Sequence, residues 1–200
     1  MPRNPGRAEP SLCRDSPYVQ ALIRGFPEVG WDRVVTQPIP DRGKTVRLHV
    51  LIPLRWSDFD AYAHVNNAEM LRILEEARIQ AFWRPDEGIG FDTAILDGRP
   101  GAETIGLIAR QEVEYLAPIP YMRSPIDIEL WIGRIGGASI EICYEMFSPE
   151  GVTPRTLFTK AATTLVMVAA KSGRPVRITD SLRAVWEPYV EEPVRFTKRG

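Results

Sequence analysis

Asp58, Asp60 and His64 fall within seven residues of one another, inside the stretch Arg55-Trp56-Ser57-Asp58-Phe59-Asp60-Ala61-Tyr62-Ala63-His64-Val65-Asn66-Asn67. A carboxylate can serve as a base or a nucleophile, and an imidazole can move a proton or orient a substrate. The stretch ends in two asparagines, and asparagine opens helices well. A helix start presents backbone N–H groups that have no partner inside the helix. A carboxylate beside such donors suits acyl transfer, where negative charge develops on a carbonyl oxygen. Asp60 and His64 are therefore candidate catalytic residues, and Asn66 and Asn67 candidate oxyanion and substrate-binding positions. Each has a plainer alternative: Asp60 can cap its own turn or the helix, His64 can be a satisfied core histidine, Asp58 can pair with Arg55 or bond turn amides, and the asparagines can act only as caps.

The elements that must position this stretch are legible on both sides of it. From Thr45 to Trp56 the chain alternates, with Val46, Leu48, Val50, Ile52, Leu54 and Trp56 on one face and Arg47, His49 and Arg55 on the other. Period two predicts a half-buried strand, and Pro53, which has no ladder donor, predicts an edge or a bend there. Residues 67 to 83 change period. Met70, Ile73, Leu74, Ala77 and Ala81 recur at helical spacing, widened by Leu71 and Phe82, with Glu69, Arg72, Glu75, Glu76 and Arg78 on the opposite face. Such a helix runs about 25 Å, and the residue before Pro85 resists its continuation. Residues 84 to 102, with Gly88, Gly90, Gly98, Pro100 and Gly101, read as a loop long enough to line a substrate entrance.

Four further strands follow. Leu107 to Tyr115 alternates apolar residues with Arg110, Glu112 and Glu114. Ile126 to Ile132 alternates with Asp127, Glu129 and Trp131, and Ile140 to Met146 with Glu141, Cys143 and Glu145. Leu157 to Ala169 is a longer apolar and threonine-rich run. The turns at Gly133–Gly137 and Ser148–Gly151 are short, which implies antiparallel neighbours. Strand, helix, loop and four strands make an α+β pattern, with one helix held against one face of an antiparallel sheet.

The remainder divides into an irregular arm over residues 1–43, studded with proline and allowing one short helix at Tyr18–Arg24, a domain over 44–170, and a tail over 171–200 read as solvated. Two hundred residues with 44% hydrophobic content suffice for one core, and a net charge of −1 gives no field for nucleic acid or an anionic membrane. The two cysteines, Cys13 and Cys143, sit in unlike contexts, which fits a reducing, cytoplasmic compartment. No apolar run reaches the roughly 20 residues of a membrane span, and the N-terminal residues do not read as a secretory signal. No G-x-S-x-G, P-loop or G-x-G-x-x-G after a strand is present. With only His49 and His64, and no clustered cysteines, a metal site is not expected.

The segment Asp58 to Asn67, followed by Met70-Leu71 and Leu74-Glu75-Glu76-Ala77-Arg78, resembles the hotdog-fold acyl-CoA thioesterases of the 4-hydroxybenzoyl-CoA thioesterase type, and Ala109 to Pro118 resembles that family's second strand. The likeness spans Val46 to Ala169. It implies a five-stranded antiparallel sheet wrapped around one long central helix, and an acyl-CoA or acyl-carrier substrate. It also implies a homodimer or homotetramer, and no cofactor. It makes Asp60 the catalytic carboxylate, as base or nucleophile, with helix-start amides near Asn66 and Asn67 holding the thioester oxygen. Other hotdog thioesterases use a glutamate on the central helix, so Glu75 and Glu76 stand as rivals, and a non-catalytic acyl- or partner-binding module is the alternative function. Some family members have glycines or a tyrosine between the aspartate and the helix, where this chain has Tyr62, Ala63 and Asn67.

Overall fold

The computed structural model describes residues 46–88 and 90–197; the helix expected at Tyr18–Arg24, with the rest of the 1–43 arm, lies outside the described residues. Five strands are formed: β1 (Leu48–Ile52), β2 (Thr104–Tyr115), β3 (Ile126–Ile135), β4 (Ser139–Phe147) and β5 (Leu157–Ala169). All pairings are antiparallel, in the order β1-β3-β4-β5-β2. The long helix, α1 (Asn67–Phe82), lies between β1 and β2 in sequence and packs on β1 and β3. This is the hotdog fold, an α+β architecture in which the sheet wraps one helix.

Burial explains the arrangement. Met70, Ile73, Leu74, Ala77, Ala81 and Phe82 face inward from α1, against Leu48, Val50, Ile52, Ile128, Leu130 and Ile142 of the sheet. The predicted stripe is thus the buried one, with two corrections. Leu71 is 38% exposed. Arg78, expected on the charged face, is buried at 3%, because the stripe is broad enough to take in its position. The first strand is also shorter than its alternation suggests. Val46 and Trp56 lie outside it and are exposed, and the ladder stops at Ile52, before Pro53 removes a donor.

The polar positions of β3 and β4 are not solvated. Asp127, Glu129 and Glu145 are buried on the sheet face away from α1. There Arg47 lies 2.8 Å from Glu129, 2.6 Å from Glu145 and 2.6 Å from Glu191, while its guanidinium covers the Trp131 ring at 3.6 Å. Arg155 reaches Asp127 at 2.6 Å and Glu129 at 2.9 Å. Pairing of this kind is what permits carboxylates to be buried.

Residues after 170 form more than a solvated tail. A second helix, α2 (Asp180–Trp186), is capped by Thr179, whose hydroxyl accepts from the Leu182 amide. Its Trp186 is fully buried in the core, edge-on to Phe82, and donates Nε1–H to the Thr93 carbonyl at 3.2 Å. The Glu191 amide then donates to the Ile132 carbonyl. No described helix is long and apolar enough to cross a membrane.

Candidate active site

Between β1 and α1 the chain makes a single 3-10 turn, Trp56–Asp58, and then a tight loop closed by a bridge between Phe59 and Val65. The Asp60 amide donates to the His64 carbonyl, and the Ala63 amide to the Asp60 carbonyl. Ala63 adopts φ +60°, the left-handed region that an L-residue enters at a cost. That conformation lets the Tyr62 and His64 amides converge on one oxygen of Asp60. Oδ1 accepts from Tyr62 at 2.8 Å and from His64 at 3.2 Å. The carboxylate is therefore fixed by one oxygen, and no bond to Oδ2 is made among the described residues.

The loop is tied down on two sides. The Val65 amide donates to the Ile119 carbonyl, the Asn66 amide to the Asp58 carbonyl at 2.8 Å, and His64 bridges Pro120. Asn66 caps α1 through its side chain, which accepts from the Ala68 amide at 2.8 Å. Of the two amides expected to serve as oxyanion donors, that of Asn66 is thus committed to Asp58. The Asn67 N–H has no partner among the described residues. Asp60, His64, Asn67, Met70, Tyr115 and Ile119 line one cavity of about 380 Å³ at the start of α1. A carboxylate with an uncommitted oxygen and an uncommitted amide at the positive end of a helix share this space.

Tyr115 was not legible as part of the site, because nothing in a strand's alternation says which helix end it meets. Its hydroxyl donates to the Asn67 carbonyl at 3.3 Å, and partial burial raises its pKa, so the phenol remains a donor.

The other candidates gather elsewhere. Asp58 is 1% exposed. Its Oδ2 accepts from the Arg55 amide at 2.7 Å, and its Oδ1 lies 3.2 Å from Arg55 Nε and 3.1 Å from Nη2. Together with Glu75, Glu76, Arg55 and Arg72 it lines a separate concavity of about 450 Å³ that Asp60 does not enter. Glu75 is paired at 3.5 Å with Arg78, and Glu76 accepts from Gln80.

Among the described residues one set of side chains has metal-like spacing, His49, Asp127 and Glu129, within 4.8 Å of one another. Arg155 occupies the two carboxylates, so an ion there would have to displace a guanidinium already in place. Cys143 is buried in β4, where desolvation pushes its thiol up to about 11 and away from nucleophile chemistry.

A model of the thioesterase-like superfamily matches residues 54–185. The chain belongs to that superfamily. The solved structures agree. The PA5185 protein of Pseudomonas aeruginosa is 26% identical, with a TM-score of 0.60 over 76% of this chain and 97% of that one. The PA2801 protein of the same organism is 29% identical, with a TM-score of 0.57 over 68% and 95%. A Thermus thermophilus thioesterase, solved with coenzyme A and zinc, is 25% identical, with a TM-score of 0.51 over 70% and 91%. A comparison with curated proteins found no match. The matched region begins just after β1 and reaches into α2, so the junction holding Asp60 lies within the thioesterase region. The protein is accordingly an enzyme of the thioesterase class.

Proposed function

We propose that this thioesterase-superfamily chain hydrolyses acyl-CoA-type thioesters to the free acid and CoA, with Asp60 as base or nucleophile and the Asn67 amide as oxyanion donor. One observation carries the reading: among the described residues Asp60 is anchored through Oδ1 alone, in the same cavity as the Asn67 N–H, which has no partner among them. Anchoring by two amides fixes the carboxylate before substrate arrives, so little orientational freedom is lost at reaction. As a base, Asp60 takes a proton from water while the water oxygen attacks the thioester carbon. As a nucleophile, it forms an acyl anhydride that water then opens. In either course the carbonyl oxygen gains charge facing the Asn67 N–H, and the C–S bond breaks to release a thiolate that needs little protonation. His64 lines the same cavity and is assigned to orienting substrate. The coenzyme A bound by the Thermus thermophilus relative supports CoA as the carrier.

The same reading makes the enzyme a homodimer or homotetramer. β2 is an edge strand of 12 residues whose Leu107, Ile108 and Tyr115 are exposed, and an open apolar edge of that length invites a second copy. It also places the enzyme in the cytoplasm, where the free Cys143 stays reduced.

The test is free-thiol release from short, long and aromatic acyl-CoAs by the wild type and by Asp60→Asn. Turnover of at least one ester, reduced about 10²–10⁴-fold in a folded variant, is the expected result. Folded wild type that leaves every ester intact overturns it. The rival, a non-catalytic acyl- or partner-binding module, draws on the two amide bonds to Asp60, since a turn-capping aspartate needs no chemistry. Saturable acyl-CoA binding without turnover would favour it.

A further inference from the structure

Among the described residues, Arg78 is buried without the partners a buried arginine requires. A guanidinium stays charged at any pH a folded protein meets, and it carries five donors. Here Nη1 donates to the Tyr144 hydroxyl at 3.2 Å. Nη2 stands 3.5 Å from Glu75 Oε1, longer than the roughly 2.7–2.9 Å of a charge-assisted bond. Nε has no partner among the described residues. The Tyr144 hydroxyl is not a counter-ion, because burial pushes its pKa up and keeps it protonated. Glu75 is a loose one, with a side chain 58% exposed.

The side chain lines a cavity of about 480 Å³ between the C-terminal half of α1 and the N-terminal half of β2. Arg84 and Arg99 line it too, so three guanidinium groups face the two carboxylates of Glu75 and Asp86. Arg99 is paired with Asp97 at 2.8 Å, whereas Arg84 has no ion pair among the described residues. A buried, under-bonded cation in the wall of an open cavity, with the Arg84 guanidinium also lining it, is a site for an anion that can replace Glu75.

We propose that this cavity binds an oxyanion group of the thioester substrate, carboxylate or phosphate, with Arg78 as anchor and Arg84 at the mouth. The site rests on the Arg78 geometry; the identity of its ligand rests on the thioesterase reading above. Arg78 lies eleven positions beyond Asn67, about 16 Å along α1, so the group it holds is not the reacting carbonyl at Asn67 of the same chain. Two parts of an acyl-CoA carry such oxyanions: a carboxylate at the far end of the acyl chain, and the phosphates of the carrier.

The experiment compares kcat/KM for glutaryl-CoA, pentanoyl-CoA and an N-acetylcysteamine thioester in wild type, Arg78→Met and Arg84→Gln. Met keeps the length of the side chain and removes the buried charge, a change that cores often accept. Arg84 is exposed, so its variant tests the mouth without disturbing the core. A carboxylate ligand predicts a glutaryl preference of about ten- to hundredfold that collapses toward one in Arg78→Met. A phosphate ligand predicts that both CoA esters lose about as much, and more than the N-acetylcysteamine ester. Equal treatment of the three esters by wild type and variants overturns the proposal. If the wild type hydrolyses no thioester, the functional reading fails, and calorimetry with glutarate and inorganic phosphate decides the site by itself. Binding weakened in Arg78→Met or, should that variant not fold, in Arg84→Gln supports the site; no binding by the wild type overturns it.

Discussion

Asp58 and Asp60 stand two positions apart in one short stretch and have opposite fates. Asp58 is buried, with both oxygens bonded to Arg55, and its carbonyl holds the Asn66 amide. Asp60 is half-buried, bonded through one oxygen, and faces a cavity. A carboxylate whose acceptors are all taken holds a loop together, while one with an oxygen to spare can react. The same contrast separates the cavity at the start of α1 from the concavity of Asp58, Glu75 and Glu76, where Asp58 meets Arg55, Glu75 lies near Arg78 and Glu76 accepts from Gln80.

The contrast can be broken most sharply at the donor side. Asn67 is the first residue of α1, where proline is well tolerated, and Asn66 before it is already extended at φ −63° and ψ 139°. Asn67→Pro thus removes one N–H and little else. It should lower kcat about 10²–10³-fold with an unchanged melting temperature, while Asn67→Ala stays near wild type. A proline variant as active as wild type would place the oxyanion elsewhere.

At Asp58 the effect should move from rate to stability. Asp58→Asn removes the charge facing Arg55, and since Arg55 is exposed the loss should be about 1–2 kcal/mol by urea unfolding. Turnover per folded molecule should fall by less than about tenfold. A variant of normal stability and abolished turnover would reverse the roles of the two aspartates. Ala63→Gly should raise stability by roughly 0.5 kcal/mol, the left-handed strain relieved less the added freedom of the unfolded chain. A lower urea midpoint would mean that the Asp60 turn stores no strain.

The smallest effect lies on the far face of the sheet. The bond from Asp127 raises the pKa of His49. Burial pushes Asp127 up, but His49 and Arg155 outweigh it and leave Asp127 low. The raised His49 contributes stability fully below its unfolded value of about 6.5 and loses it as pH climbs through the folded value. The depressed Asp127 contributes above about 3.9 and loses it as pH falls through its folded value. Glu129 and Arg155 face the same pair, and the His49 side chain is 54% exposed, so the whole effect should be about 0.5 kcal/mol. His49→Gln should therefore destabilise more at pH 5.5 than at pH 8.5. An equal loss at both would show that the imidazole contributes packing alone.

What could be read in the sequence was local. The Asn66 cap, the stripe of α1 and the closure of β1 before Pro53 depend on residues a few positions apart, and each is seen in the structure. Burial of Glu129 and Glu145 depends on Arg47 and Arg155, which are distant in sequence, so alternation alone could not reveal it. Arg78 looked polar because charge marks a residue's type and not its depth. Trp186 had a usable signal, since Leu182, Val185 and Trp186 lie at helical spacing behind Thr179, a good cap. Asp60 was legible as a candidate; which of its oxygens was free depended on the left-handed turn at Ala63.

The most direct measurement compares single-turnover thiol release by wild type, Asp60→Asn and the double variant Glu75→Gln, Glu76→Gln, each shown to be folded. The account predicts that Asp60→Asn alone loses about 10²–10⁴-fold while the double variant keeps its chemical step. Full activity in Asp60→Asn, with loss in the double variant, would move the chemistry from the loop to α1 and contradict it.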